Sequence, residues 1–128
     1  MESGPSTMGA LMILVGRYLS PFVRRVGVSL NQLGLPFERK ILSTATDKAA
    51  IEAYNPVGRV PALVLDDGEV LIDSAAILDY LDELAGPAKA LTPPHGVERR
   101  QVMKIVAVAL GTLEKAVGAA YEMSRRPA

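Results

Sequence analysis

Three short pairs in this 128-residue chain have the residue types and neighbours that recognition or catalysis needs: Ser20-Pro21, Val60-Pro61 and Asp73-Ser74. Pro61 lacks an N–H, so it can stand only at the start or edge of the apolar strand pattern Ala62 to Leu65. Val60 before it is pushed into an extended conformation, leaving its N–H and C=O for something other than the sheet. Two free backbone groups at the end of a sheet are a place to hold an extended peptide. Ser20 and Asp73-Ser74 each precede a helical pattern, where a side-chain oxygen takes up the first unpaired N–H groups. On pattern alone they read as helix caps, and Ser20 has the added signal of proline at the first helical position. The chain has no cysteine, so it supplies no thiol nucleophile, disulfide or zinc–thiolate site of its own.

The elements that must position these pairs alternate along the chain. Leu11 to Gly16 is a short, wholly apolar run, as expected of a strand buried on both faces. The helix opened by Ser20-Pro21 carries Phe22, Val23, Val26, Leu30 and Leu33 at helical spacing and stops at Gly34. Phe37 to Leu42 is a weaker strand whose charged middle suits a sheet edge. A short helix from about Asp47 to Tyr54 is expected to pack through Ala49, Ala50 and Ala53, and Asn55-Pro56 then makes a turn. Ala62 to Leu65 and Glu69 to Ile72 flank Asp66-Asp67-Gly68, a hairpin signature. The helix after Asp73-Ser74 is expected to turn Ile77, Leu78, Leu81 and Leu84 to the sheet.

This order, βαβα and then ββα, predicts an α/β fold: two parallel strands joined through a helix, then an antiparallel hairpin with a covering helix. Residues 1–11 read as a leader outside the fold, 12–85 as the α/β domain, and 86–96 as a proline-rich linker with His95 in a surface loop. Residues 97–128 hold one long helical pattern with the stripe Val102, Ile105, Val106, Ala109, Leu113, Val117 and Ala120. Gly111 and Gly118 in that helix each cost about 1 kcal/mol against alanine, which predicts the close approach of another helix.

Composition narrows the function. Lys+Arg and Asp+Glu are 14 each, so no net field favours nucleic acid or an anionic membrane. The apolar run Ala10 to Val15 is too short for a membrane helix and lacks the basic flank of a signal peptide. The expectation is a cytoplasmic protein with no metal site.

Ser20-Pro21-Phe22-Val23-Arg24-Arg25-Val26, Asn55-Pro56-Val57-Gly58-Arg59-Val60-Pro61-Ala62-Leu63 and Asp73-Ser74-Ala75-Ala76-Ile77-Leu78-Asp79-Tyr80-Leu81 together resemble the thioredoxin-like N-terminal domain of a soluble glutathione transferase. The three motifs stand in family order over about Met12 to Ala85, and the Ser-Pro-Phe form is most similar to the serine-type tau and zeta classes and their small bacterial relatives. The residues after the linker resemble the start of the family's all-helical C-terminal domain, which implies a chain cut short after the first helix of that domain.

The resemblance implies a role for each pair. Glutathione would be the co-substrate, with no further cofactor, and its thiol would be activated to attack a small hydrophobic electrophile. Ser20 would be the catalytic hydroxyl donating to the sulfur, Val60 would pair its backbone with the cysteinyl part, and Pro61 would follow a cis peptide bond. Arg59 would lie near the glycyl carboxylate, while Asp73 and Ser74 would take the ammonium and carboxylate of the γ-glutamyl end. Other classes use a tyrosine near the end of the first strand, so Tyr18 is a rival donor, with packing at the strand end as its plainer role. The family also implies a homodimer. A different class of function stays open, in which the same fold is a non-catalytic dimerisation or protein-binding module. A thiol–disulfide oxidoreductase is disfavoured because relatives of that kind carry cysteine at the position of Ser20.

Overall fold

The computed structural model describes residues 11–126. Apart from Leu11, the expected leader lies outside the described residues. The elements are β1 (Met12–Val15), α1 (Pro21–Gln32), β2 (Phe37–Lys40), α2 (Lys48–Glu52), β3 (Ala62–Val64), β4 (Val70–Leu71), α3 (Ser74–Ala85) and α4 (Gly96–Arg125). The chain divides into two compact units that part between Leu91 and Thr92.

The first unit is a four-stranded sheet in the order β2-β1-β3-β4. β1 and β2 run parallel across the α1 connection, and β3 pairs antiparallel with both β1 and β4. This is the α/β arrangement that the order of elements predicts, and the thioredoxin-like form of it that the resemblance implies. β2 lies at the edge, where the charges of Phe37-Glu38-Arg39-Lys40 reach water on alternate residues.

Side-chain alternation in the strands assigns the core. Leu14 is the register partner of Leu63, and both belong to one cluster with Met12, Leu65, Val23, Val26 and Leu30 of α1, and Ile77 and Leu81 of α3. The two helices therefore share one face of the sheet. Val15 and Ala62, partners one residue along, fall on the opposite face and are also fully buried, whereas Ile13 and Val64 on that face are half-buried. β1 is thus enclosed on both faces at its C-terminal end and only partly so in its middle.

Two packing expectations change. In α2 the buried side chain is Ile51, while Ala49, Ala50 and Ala53 are exposed. A helix of five residues can turn little more than one side chain inward, and the largest apolar group gains most from leaving water. In α3, Ile77 and Leu81 are buried and Leu78 packs on the cluster, but Leu84 is 49% exposed because the last turn runs beyond the sheet-facing cluster. Residues 86–91, read as linker, fold back on α3: the Ala90 N–H reaches the Gly86 carbonyl and the Leu91 N–H donates to Asp82.

The second unit contains α4, a 30-residue helix with no buried residue. Nothing among the described residues lies within 4 Å of a Cβ built on Gly111 or Gly118, so the helix neighbour expected there is not among them. No helix among the described residues is long and apolar enough to cross a membrane.

One close approach fixes the end of β1. Gly16 has φ +127°, and a Cβ on it would stand 2.6 Å from Val23 Cγ2 and 2.9 Å from Val60 Cβ. Gly16→Ala is expected to lower stability by roughly 2–5 kcal/mol, the sum of backbone strain and overpacking, read as a drop in the urea midpoint; an unchanged midpoint would mean that the Val60 segment can move away freely.

Candidate functional site

Strand directions bring the three pairs to one end of the sheet. Ser20 follows the C-terminal end of β1, and Val15 there is the partner of Ala62, the first residue of β3, so Val60-Pro61 arrives beside it. β4 runs antiparallel to β3 with Leu71 opposite Leu63, so its exit through Ile72 to Asp73 lies toward the same end. Gly16 closes the group, since it touches both Val60 and Val23 of the first turn of α1.

Ser20 caps α1. Its backbone is extended, and its half-buried Oγ accepts from the N–H groups of Phe22 at 3.2 Å and Val23 at 3.3 Å. Those bonds use the oxygen's lone pairs, and the hydroxyl proton stays available to donate. The helix start adds a field that favours a negative charge at the same place.

The Val60–Pro61 peptide is cis. Pro61 is fully buried and Val60 half-buried. No backbone hydrogen bond to the N–H or C=O of Val60 is found among the described residues. The turn before them is built on Asn55, 3% exposed, whose Oδ1 accepts from the Val57 N–H at 2.9 Å and whose Nδ2 donates to the Arg59 carbonyl at 3.2 Å. Asn55 therefore does more than start a turn: it spans it and sets the approach of Val60. The Arg59 side chain is exposed and makes no hydrogen bond or ion pair among the described residues.

Asp73 follows a cis Ile72–Asp73 peptide and caps α3, with Oδ1 accepting from the Ala75 N–H at 3.0 Å. Ser74 is the first residue of α3 and is buried at 6% exposure. Its Oγ lies 3.2 Å from Arg25 Nη1, a contact between α1 and α3 across 49 residues of sequence. Burial pushes the pKa of the Arg25 guanidinium down, and the Asp73 carboxylate pushes it back up.

Tyr18 sits differently from Ser20. Its ring lies under the Arg39 guanidinium, 3.5 Å from the centroid, and a Cβ on Gly27 would meet its hydroxyl oxygen at 2.5 Å. Gly27 is seven residues, about two turns, along α1 from the Ser20 cap. The hydroxyl is thus held against the flank of the helix, away from its N-terminus. Arg39 also donates to the Gly16 carbonyl at 2.9 Å, so the same side chain grips both ends of the segment leading to Ser20.

Local pattern gives Gly16, Arg25 and Arg39 no role of their own, and Asn55 only that of starting a turn. Arg25 stands inside the Ser20 motif, but its partner Ser74 comes from a distant element, and only the folded chain brings the two together. Among the described residues no group of three or more His, Cys, Asp or Glu side chains could hold a metal ion.

The chain is 36% identical to the uncharacterized GST-like protein YibF of Escherichia coli over 114 residues, covering 89% of this chain and 56% of that protein. It is 40% identical to the maleylacetoacetate isomerase of Pseudomonas aeruginosa over 77 residues, 56% of this chain and 36% of the isomerase. Among solved structures, a glutathione transferase family member from Pseudomonas fluorescens Pf-5 with bound glutathione superposes with a TM-score of 0.79 at 36% identity, over 91% of this chain and 58% of that one. A glutathione S-transferase from Methylobacillus flagellatus with glutathione bound gives 0.80 at 31% identity, over 90% and 56%. The chain thus spans little more than half the length of these two structures. Residues 14–89, more than half of the chain, match the family model for the glutathione S-transferase N-terminal domain, and the chain belongs to the glutathione S-transferase family.

Proposed function

We propose that this chain binds glutathione along the sheet end and readies its thiol to attack a small hydrophobic electrophile. The backbone of Val60 pairs with the cysteinyl part as an added strand would. Asp73 and Ser74 take the γ-glutamyl ammonium and carboxylate at the start of α3, and Arg59 meets the glycyl carboxylate. Ser20 donates its proton in a hydrogen bond to the sulfur. The observation that carries this reading is the convergence of a hydroxyl with a proton to donate, a free backbone pair and a capped acidic helix start on one end of the sheet, in a chain similar to two solved family members that hold glutathione.

The energetics are adequate. A free thiol has a pKa near 8.5, and lowering it by about two units requires roughly 2.7 kcal/mol of preference for the thiolate. A hydroxyl donating to the anion contributes about 1.5–3 kcal/mol and the helix start about 0.3–2 kcal/mol. The thiol proton leaves to solvent, and the thiolate forms the new carbon–sulfur bond while the electrophile's leaving group departs from the attacked carbon with the electron pair of the bond that breaks. Two donors acting together suffice where either alone is marginal.

A second reading is favoured by α4. That helix leaves Ile105 69% and Val108 67% exposed, as a surface made for a partner would. The same exposed face supports a homodimer in the catalytic reading, or a non-catalytic interaction module in its place. Retention on glutathione-agarose separates the two: folded protein that passes through unretained would leave only the module.

Ser20→Ala is expected to raise the pKa of bound glutathione's thiol by about one to two units, followed by thiolate absorbance, while the dissociation constant stays within about threefold. It should also cost about 1 kcal/mol of stability through the lost cap. Tyr18→Phe is expected to leave that thiol pKa within about 0.3 unit of the original, since its hydroxyl packs on Gly27; a rise as large as that of Ser20→Ala would transfer the donor role to Tyr18.

A further inference from the structure

In the edge strand β2, Glu38 and Lys40 are exposed, but Arg39 between them is half-buried, at the register partner of the fully buried Leu14. Its Nε is buried and makes no hydrogen bond among the described residues. An unpaired buried donor is costly, and a side chain that served only to keep the sheet edge charged would avoid that cost by reaching water as its neighbours do. What the inward pose provides is two contacts with one segment: a bond to the Gly16 carbonyl at 2.9 Å, and the Tyr18 ring at 3.5 Å from the guanidinium.

That segment is the turn that delivers Ser20. The Ser20 N–H closes it on the Arg17 carbonyl at 3.1 Å, so Tyr18 and Leu19 are its central residues. The Tyr18 ring lies against Gly27 on the flank of α1, where a Cβ would stand 2.5 Å from its hydroxyl oxygen and 2.8 Å from Cε1. Arg39, Tyr18 and Gly27 therefore form a stack that runs from β2 through the turn to α1. The two cap bonds of Ser20 hold it to α1 and to nothing else. The stack, with the Gly16 contact, is what seats the turn and the helix start on the sheet end where Val60 stands. A hydroxyl-to-sulfur bond loses strength with small changes of distance and angle, so that seating decides whether Ser20 can act.

We infer that Arg39 is a positioning residue: through Tyr18 stacked on Gly27, it holds the Ser20 hydroxyl within reach of the glutathione sulfur. The inference rests on the glutathione reading and gives Tyr18 a role for its ring in place of its hydroxyl. Two plainer roles would use the same contacts. A guanidinium could favour the thiolate through space, which needs no Ser20, or it could merely pack the sheet edge, which is indifferent to the charge on the sulfur.

The test is the thiol pKa of bound glutathione, followed by thiolate absorbance on the full chain, beside the affinity for S-methylglutathione, which has no thiol proton. Arg39→Met is expected to raise the thiol pKa by about 0.5–1.5 units and to leave S-methylglutathione affinity within about twofold. Tyr18→Leu keeps the charge and removes the ring, and should raise the thiol pKa by a similar amount, whereas Tyr18→Phe keeps the ring and the original value. In a Ser20→Ala background, Arg39→Met should add no more than about 0.3 unit, because no hydroxyl is left to position. An unchanged thiol pKa in Arg39→Met would reduce Arg39 to edge packing, and an equal rise with and without Ser20 would make it a through-space charge; either overturns the inference. A loss of S-methylglutathione affinity in step with the pKa rise would overturn it too, as a general loosening of the site. If Arg39→Met is not folded by circular dichroism, Tyr18→Leu and Arg39→Lys, which keeps the charge without the planar face, carry the comparison with and without Ser20. A thiol pKa that does not respond to Ser20→Ala would overturn the inference while sparing glutathione binding; protein that binds neither ligand would remove both.

Discussion

The first unit is organised by the absence of a side chain at Gly16. At that point the end of β1 must pass within contact distance of Val60 and of Val23 in the first turn of α1, and any Cβ would collide with both. The contact couples three things that are far apart in sequence: the last rung of the central strand, the segment before β3 and the helix that Ser20 caps. Interiors are packed too densely for one of these to shift without moving the others. Arg39 completes the constraint by holding the Gly16 carbonyl and stacking on Tyr18, so the segment between them is gripped from the neighbouring strand.

Against that fixed corner, the polar groups divide by sign. Ser20 and the start of α1 favour an anion on one side, and Arg25 with the start of α3 does so on another. Asp73 supplies the only acidic group of the three pairs. The chain has equal numbers of acidic and basic residues, so these preferences come from placement rather than from net charge. Partial burial gives them strength, because a donor shielded from water keeps more of its interaction with a ligand than an exposed one does. Arg59 is exposed and has no polar partner among the described residues, so the fold itself does little to fix its side chain.

Much of the first unit is legible in the chain. Strand β1, the cap and stripe of α1, the charged edge strand, the Asp-Gly hairpin and the capped α3 follow from short-range signals, since apolar periodicity and turn chemistry act over a few residues. The failures are packing decisions. Three alanines in α2 had helical spacing, but Ile51 was the larger apolar group and took the inward position. Leu84 continued the α3 stripe past the cluster it was meant to cover. Residues 86–91 have linker composition, and the bond from the Leu91 N–H to the Asp82 carboxylate that joins them to α3 spans nine residues and has no local signature.

Sequence by itself determined the order of elements, the two helix caps and the residue types offered at each corner, because caps, turns and amphipathic stripes are settled between neighbours in the chain. It also carried the family likeness through three motifs. Tertiary structure alone decided which side chains act on one another across elements: Arg25 on Ser74, Arg39 on Gly16 and Tyr18, and Gly16 against Val60. It also separated Tyr18 from the Ser20 corner by laying its hydroxyl on Gly27. Such contacts depend on the register of strands and the seating of helices, which are set by the burial of the whole apolar core and have no local signature.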